Sequence, residues 1–220
     1  MNVYKFGIRT EGTEKEFAEL ILNTANNFPY FNLVEVGFAG GATASAIKSL
    51  LKENYQNPWY IVSVDLKEAY LKEYATIYRN FQENELDIIN VPDDCSFVKR
   101  QNKNVLYLKD SAQFLKENAP NDIHFCFIDA CHCEDHVKGD FLAVKDKIVK
   151  GGVVAFHDVG EIEQGTDHQH DGKNIGVRKA LYDLGLMNND LDDWYFEKEI
   201  IGSRTRGGEG NNIGVFRKVK

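Results

Sequence analysis

33-LVEVGFAGGATASAIKSLLKE-53 holds a strand, a glycine turn and a helix in one short stretch. The apolar run 33-LVEVG-37 is stopped by glycine, as suits a strand buried on both faces. Ile47, Leu50 and Leu51 then repeat at helical spacing, which predicts a helix over 42–53. Gly37 and Gly41 allow a sharp turn and close approach to a ligand, and Gly40 adds freedom. A dinucleotide fingerprint would need glycine where Ala39 stands, and a P-loop would need a following Gly-Lys-Ser/Thr. Glu35, just before the turn, repels phosphate and favours a cation such as an amine or a sulfonium.

The same rhythm extends in both directions. Thr13 and Glu16 make a capping box ahead of Phe17, Leu20 and Ile21, which marks an N-terminal helical segment within 1–30. Strand 60-YIVSVD-65 precedes a helix carrying Tyr70, Leu71, Tyr74 and Ile77. The stretch 82–103, with a turn at Pro92-Asp93-Asp94, reads as an insertion. Strand 104-NVLYLKD-110 leads to a short helix. Strand 123-IHFCFID-129 leads to a helix with Val137, Phe141, Val144 and Ile148. Gly151-Gly152 opens strand 153-VVAFHD-158. The polar loop 159–175 has the length and glycines of a flexible lid and precedes a helix with Val177, Leu181 and Leu184. Two strands, 194–201 and 212–216, close the chain with no helix between them.

Alternating strands and helices imply a Rossmann-like, doubly wound α/β fold with a seven-stranded, mostly parallel sheet. The last two strands imply an antiparallel edge hairpin. Ligands of such sheets bind outside the carboxyl ends of the strands. Those ends here are Gly37, Asp65, Asp110, Asp129 and Asp158, five polar or turn residues on one rim. Residues 1–220 are expected to form one domain, since no repeat or linker interrupts them.

Composition narrows the function classes. At 220 residues and 43% hydrophobic, the chain can bury roughly 70% of its unfolded surface without covalent staples. The net charge of −8 and the absence of a basic block argue against nucleic acid. No run approaches the roughly 18 apolar residues of a membrane span, and the N-terminus has no basic start ahead of an apolar run. The expectation is a soluble, cytoplasmic protein with a small-molecule partner. Either the edge hairpin or the N-terminal helix could support a homo-oligomer.

The most crowded stretch is 126-CFIDACHCEDH-136, with three of the four cysteines. All six histidines fall between His124 and His170. A structural zinc site usually pairs C-x2-C with a distant second pair, and C-x-C here has none. Redox catalysis would want C-x-x-C, which is absent. Cys126 alternates inward on a strand and reads as core. His124 and His136 read as structural or exposed. His168 and His170 read as solvated loop residues.

With these residues in view, the chain resembles the class I S-adenosylmethionine-dependent methyltransferases. The features that carry the resemblance are E-x-G-x-x-x-G after the first strand, Asp65 ending the second and Asp110-Ser111-Ala112 ending the third. The run FIDACHCEDHVKGDFLAVKDKIVKGGVVAFHDV is similar to a branch of small-molecule O-methyltransferases with F-I-D-G-x-H-x-Y, a helix, G-G-x-x-x-x-H-D and G-V-x-R. Residues 176-GVRKALYDL-184 and 213-IGVF-216 fit its closing helix and last strand. The resemblance spans roughly residues 10–217.

The resemblance implies roles at matching positions. S-adenosylmethionine would lie against Glu35, Gly37, Phe38, Gly41, Thr43 and Asp129, with Asp65 on the ribose hydroxyls and Asp110 and Ser111 at the adenine edge. Asp129 and Asp158, with His157 as third ligand, would hold Mg2+ or another divalent metal, and His132 would be the general base. A metal lowers the pKa of a hydroxyl nucleophile while a base takes its proton. Several relatives have an acid where Cys131 stands and another in place of His157. A set of one His and two Asp tolerates a transition metal better than an all-oxygen site does. The implied activity is O-methylation of a small hydroxylated substrate, such as a sugar or natural product. The alternatives are a non-methyl-transfer reaction at the same metal site, such as hydroxylation, and a non-catalytic binding module. The complete set Glu35, Asp65, Asp110, Asp129 and Asp158 argues against the last.

Overall fold

A computed structural model describes residues 6, 13–67, 76, 80–81, 85–90, 101–160, 169–170, 173–174, 176–202 and 212–220. The first helix, α1 (Thr13–Ala25), buries Phe17, Leu20 and Ile21 as their spacing predicts. Glu16 of the expected capping box pairs across with Lys198 Nζ at 2.7 Å. Strand β1 (Phe31–Val36) and helix α2 (Ala42–Asn54) follow, and then strand β2 (Trp59–Asp65). Tyr70, Leu71, Tyr74 and Ile77, expected to mark a helix after β2, lie outside the described residues.

Further along lie β3 (Leu86–Asn90), β4 (Asn104–Leu108), α3 (Ser111–Glu117), β5 (Ile123–Ile128) and α4 (Glu134–Val144). After them come β6 (Ile148–Phe156), the short pair β7 (Gln169–His170) and β8 (Lys173–Asn174), α5 (Val177–Asp183), β9 (Trp194–Ile200) and β10 (Ile213–Lys218).

The main sheet has eight strands in the order β3-β4-β2-β1-β5-β6-β10-β9, against the seven expected. The added strand, β3, comes from the stretch read as an insertion and pairs in parallel with β4 at the sheet edge. Edge placement explains why it was missed. Ile88 is exposed, so the segment lacks the continuous apolar run of a central strand. Ile148 also departs from its expected place. Helix α4 ends at Val144, a 3-10 turn covers Lys145–Lys147, and Ile148 opens β6 opposite Ile123. The loop expected as a lid contains the two-stranded β7–β8 ladder; His168 lies outside the described residues. Pairing from β3 to β6 is parallel, and β10 joins β6 and β9 antiparallel, as the missing crossover helix requires.

Alternation along β1 and β5 separates two cores. Phe31, Leu33, Phe125 and Phe127 pack toward α1 and α2. Val34, Val36, Cys126 and Ile128 pack toward α3, α4 and α5. Burying a Phe or Leu side chain contributes about 1.5–3 kcal/mol, so both central strands are held firmly on both faces. From β1 the chain runs outward through β2 to β4, and it returns on the other side of β1 as β5. The carboxyl ends of β1 and β5 therefore form the topological switch point, where such sheets open a crevice. Among the described residues no helix is long and apolar enough to cross a membrane.

Candidate active site

The glycine turn leaves β1 at this switch point. Gly37 has φ +91°, and a Cβ there would sit 2.1 Å from the backbone oxygen of Asp129. The turn and the end of β5 are thus in backbone contact, which only glycine permits. Gly41, at φ +74°, is pinched between the rings of Phe38 and Phe81, which stack with centroids 5.8 Å apart. Asn80 Nδ2 donates to Gly40 O at 2.7 Å, and Ser45 Oγ donates to Asn80 O at 2.8 Å. Sequence reasoning missed Asn80 and Phe81, because nothing local marks a segment that folds back onto a turn forty residues earlier. Thr43 is buried in the first turn of α2.

Glu35 is fully buried. In the parallel register it stands opposite Ser63, whose Oγ donates to its Oε2 at 2.6 Å. Among the described residues its Oε1 makes no aligned hydrogen bond, and the Ala44 backbone is its further polar neighbour. Burial, with Asp129 and Asp65 nearby, pushes its pKa to about 8 against the pull of Ser63. The one serine in the apolar strand 60-YIVSVD-65 was the available signal for this partner.

Asp65 braces the turn from the second strand. Its Oδ2 accepts from Ala39 N at 2.7 Å and its Oδ1 from Leu66 N at 2.8 Å. Burial raises its pKa in spite of these bonds. Each oxygen keeps a lone pair for a further donor. Ala39 itself sits at φ +43°, a left-handed conformation uncommon for a residue with a Cβ. Asp110 caps α3 by accepting from Gln113 N at 2.9 Å, and Ser111 Oγ donates to Asp140 Oδ1 at 2.7 Å. Asp140 is a buried carboxyl that the sequence did not flag. Burial outweighs Ser111 and raises its pKa to about 7.

Beside the turn, four side chains converge. His157 Nδ1 lies 3.0 Å from Asp129 Oδ1 and 3.4 Å from Asp158 Oδ1. His132 Nε2 lies 3.4 Å from Asp129 Oδ1, and its Nδ1 lies 3.2 Å from Asp158 Oδ2. One donor atom from each of the four falls within 4.8 Å of the others. The structure therefore gathers every residue expected at the metal and base positions, and puts His132 within reach of the same point as the other three.

The charges are balanced tightly. Desolvation works against ionised Asp129, yet the two histidines hold its carboxyl well below the usual range. The carboxylates in turn outweigh desolvation at His157, raising it to about 10, and they raise His132 as well. Both nitrogens of His157 and Oδ1 of Asp158 are buried without an aligned hydrogen bond. Carboxylate oxygens and imidazole nitrogens that converge on one point without aligned hydrogen bonds suit a cation there.

Asp158 also carries backbone strain, at φ +55°. Its neighbours over-determine that conformation. His157 N donates to Ile128 O at 3.0 Å and Val159 N to Asn212 O at 3.1 Å. Arg178 Nε holds Val159 O at 2.8 Å while its Nη2 pairs with both oxygens of Glu199, and Asn212 Nδ2 closes the frame on Glu199 Oε1 at 2.6 Å. This frame joins the end of β6, α5, β9 and the start of β10; of its members only Arg178 lies in a stretch the sequence singled out, 176-GVRKALYDL-184.

Comparison with known proteins gives the family and the fold. The family described as "Methyltransferase domain" matches residues 34–159, more than half of the chain. No curated protein matches. Among solved structures, the chain is similar to the O-methyltransferase from Bacillus cereus in complex with SAH, at 16% identity and TM-score 0.60, over 93% of this chain and 80% of that one. It is also similar to the O-methyltransferase TomG from Streptomyces achromogenes, at 14% identity and TM-score 0.57, with the same coverage. The N-methyltransferase NodS from Bradyrhizobium japonicum aligns at 11% identity and TM-score 0.56, over 94% of this chain and 97% of that one. At such identities the likeness is one of fold.

Proposed function

Because the chain belongs to the methyltransferase-domain family that its residues 34–159 match, we propose that it transfers a methyl group from S-adenosylmethionine to a hydroxyl of a small molecule, such as a sugar or natural product. The observation that carries this reading is the backbone contact between the Gly37 turn and Asp129, which sets the glycine turn directly against a cluster of two carboxylates and two imidazoles. A methyl donor on the turn and a hydroxyl at the cluster would be neighbours, as an in-line displacement requires.

The turn of Gly37, Phe38 and Gly41, with Thr43, borders the methionine part of the cofactor in this reading. Glu35 faces its positive charge and Asp65 accepts from the ribose. Asp110 and Ser111 border the adenine. Asp129, His157 and Asp158 fit a divalent cation, Mg2+ or a transition metal, because their donor atoms converge on one point, where a cation would take the place of the proton that the carboxylates hold on His157. Such an ion, when bound, supplies Lewis acidity that lowers the pKa of the substrate hydroxyl. His132 accepts the hydroxyl proton, and the flanking carboxylates strengthen it as a base. Asp158, strained and braced by the Arg178 frame, fixes where the substrate oxygen lies relative to His132.

Calorimetric titration with S-adenosylmethionine and S-adenosylhomocysteine, with and without magnesium, tests this directly. Binding of both ligands, followed by methyl transfer to a panel of polyhydroxylated small molecules, is the expected result. Failure of both ligands to bind under either condition would remove the cofactor and the reading with it.

A further inference from the structure

Cys131, Cys133 and His136 form a second ligand-bearing group outside the site described above. Two thiol sulfurs and one imidazole nitrogen lie within 4.8 Å of one another. Their placement follows from the local chain path. His132 joins the carboxylate cluster, and the cysteines on either side of it gather elsewhere with His136. Cys133 is the N-cap residue of α4. His136 follows three residues later, a spacing that brings side chains onto one face of a helix. The sequence pattern is therefore C-x-C-x2-H. Its third ligand escapes a search for paired cysteines.

We propose that Cys131, Cys133 and His136 bind one thiophilic divalent cation, zinc, with water completing a tetrahedral site. Two thiolates and a neutral imidazole balance the charge of a dication, and soft sulfur selects zinc over magnesium or calcium. The three residues grade from buried Cys133 through half-buried Cys131 to exposed His136, so an ion has an anchor and an entry path. Cys126 contrasts with them. It is sealed in the core, where burial pushes its thiol far up, and takes no part. A bound ion would tie down both flanks of His132, linking thiol chemistry to the placement of the proposed base.

The proposal does not depend on methyl transfer, and cobalt spectroscopy separates the two clusters. The full chain, stripped with EDTA and kept reduced, is titrated with Co2+ and read in the near ultraviolet and visible. The expected result is an intense thiolate-to-cobalt charge-transfer band that saturates at one equivalent and is abolished by added zinc. Cys131→Ser, at a half-buried position that folding tolerates, loses the band, and His136→Ala weakens binding. Asp158→Asn keeps the band, because it alters only the oxygen and nitrogen cluster. Weak ligand-field bands without charge transfer, a band that survives Cys131→Ser, or no cobalt binding would each overturn the proposal.

Discussion

Replacing Glu35 with glutamine tests the electrostatic core of the glycine turn. The carboxyl is fully buried, with one oxygen bonded to Ser63 and the other without an aligned hydrogen bond among the described residues. Its pKa in the folded chain is about 8, against an ordinary value of 4.5. The folded state thus holds the proton more tightly than the unfolded state does. Stability from this group is fully present below pH 4.5 and is lost as pH rises toward 8. The gap corresponds to about 5 kcal/mol across that window. Glu35→Gln has no proton to lose, so its stability relative to the parent should climb by about that amount between acid and mildly alkaline pH. Urea denaturation of both proteins at a series of pH values, without cofactor, measures the difference directly. Other titrating groups cancel in the comparison. A flat difference across the window would refute the buried, protonated carboxyl. The functional corollary is that a cationic ligand favours the ionised form. S-adenosylmethionine affinity should then rise with pH in the parent and not in Glu35→Gln. If stability follows the expected curve while affinity stays level with pH, Glu35 shapes the turn without reading the ligand's charge.

Two further substitutions separate cofactor binding from chemistry. His132→Gln should lower kcat by about 10²–10⁴-fold, the usual contribution of a general base, while leaving S-adenosylhomocysteine affinity unchanged by calorimetry. Equal losses in both would make His132 a structural ligand of the cluster. Gly37→Ala should destabilise the chain by about 4 kcal/mol, roughly 10 °C in Tm, because its Cβ meets immovable backbone in a left-handed conformation. The thermal unfolding midpoint reads this, and an unchanged value would mean that the turn and β5 are not in contact.

The strand ends were legible because each combines two strong local signals, an apolar run and a terminating polar residue or glycine. Asp65, Asp129 and Asp158 were each legible as a strand end from their own segment, and as a candidate site only from five such ends sharing one rim. What escaped depends on partners distant in sequence. Leu86–Asn90 becomes a strand only through pairing with β4, formed by residues that come later. Ile148 continues the helical spacing of Val144 and Phe141, yet its pairing with Ile123 draws it into β6. Ser63 meets Glu35 because two parallel strands align residue for residue, and a one-residue slip would separate them. His132 reaches Asp158 only because residue 158 turns through a positive φ held by Arg178, Glu199 and Asn212.

The sheet order explains why those distant partners meet at one place. β1 and β5 are adjacent although nearly ninety residues separate them, and their helices depart to opposite faces. A crevice must open where the two connections diverge. The residue after β1 is Gly37 and the residue after β5 is Asp129, so the glycine turn meets the start of the carboxylate cluster without any loop being built to bring them together. β6 lies next to β5 and adds His157 and Asp158 from the same rim. The glycine is needed because the two chain segments are in van der Waals contact there. A side chain at position 37 would push the glycine turn away from Asp129 and the carboxylates beside it. The spacing between the glycine turn and the Asp–His cluster is therefore set by the backbone of two central strands buried along their whole length.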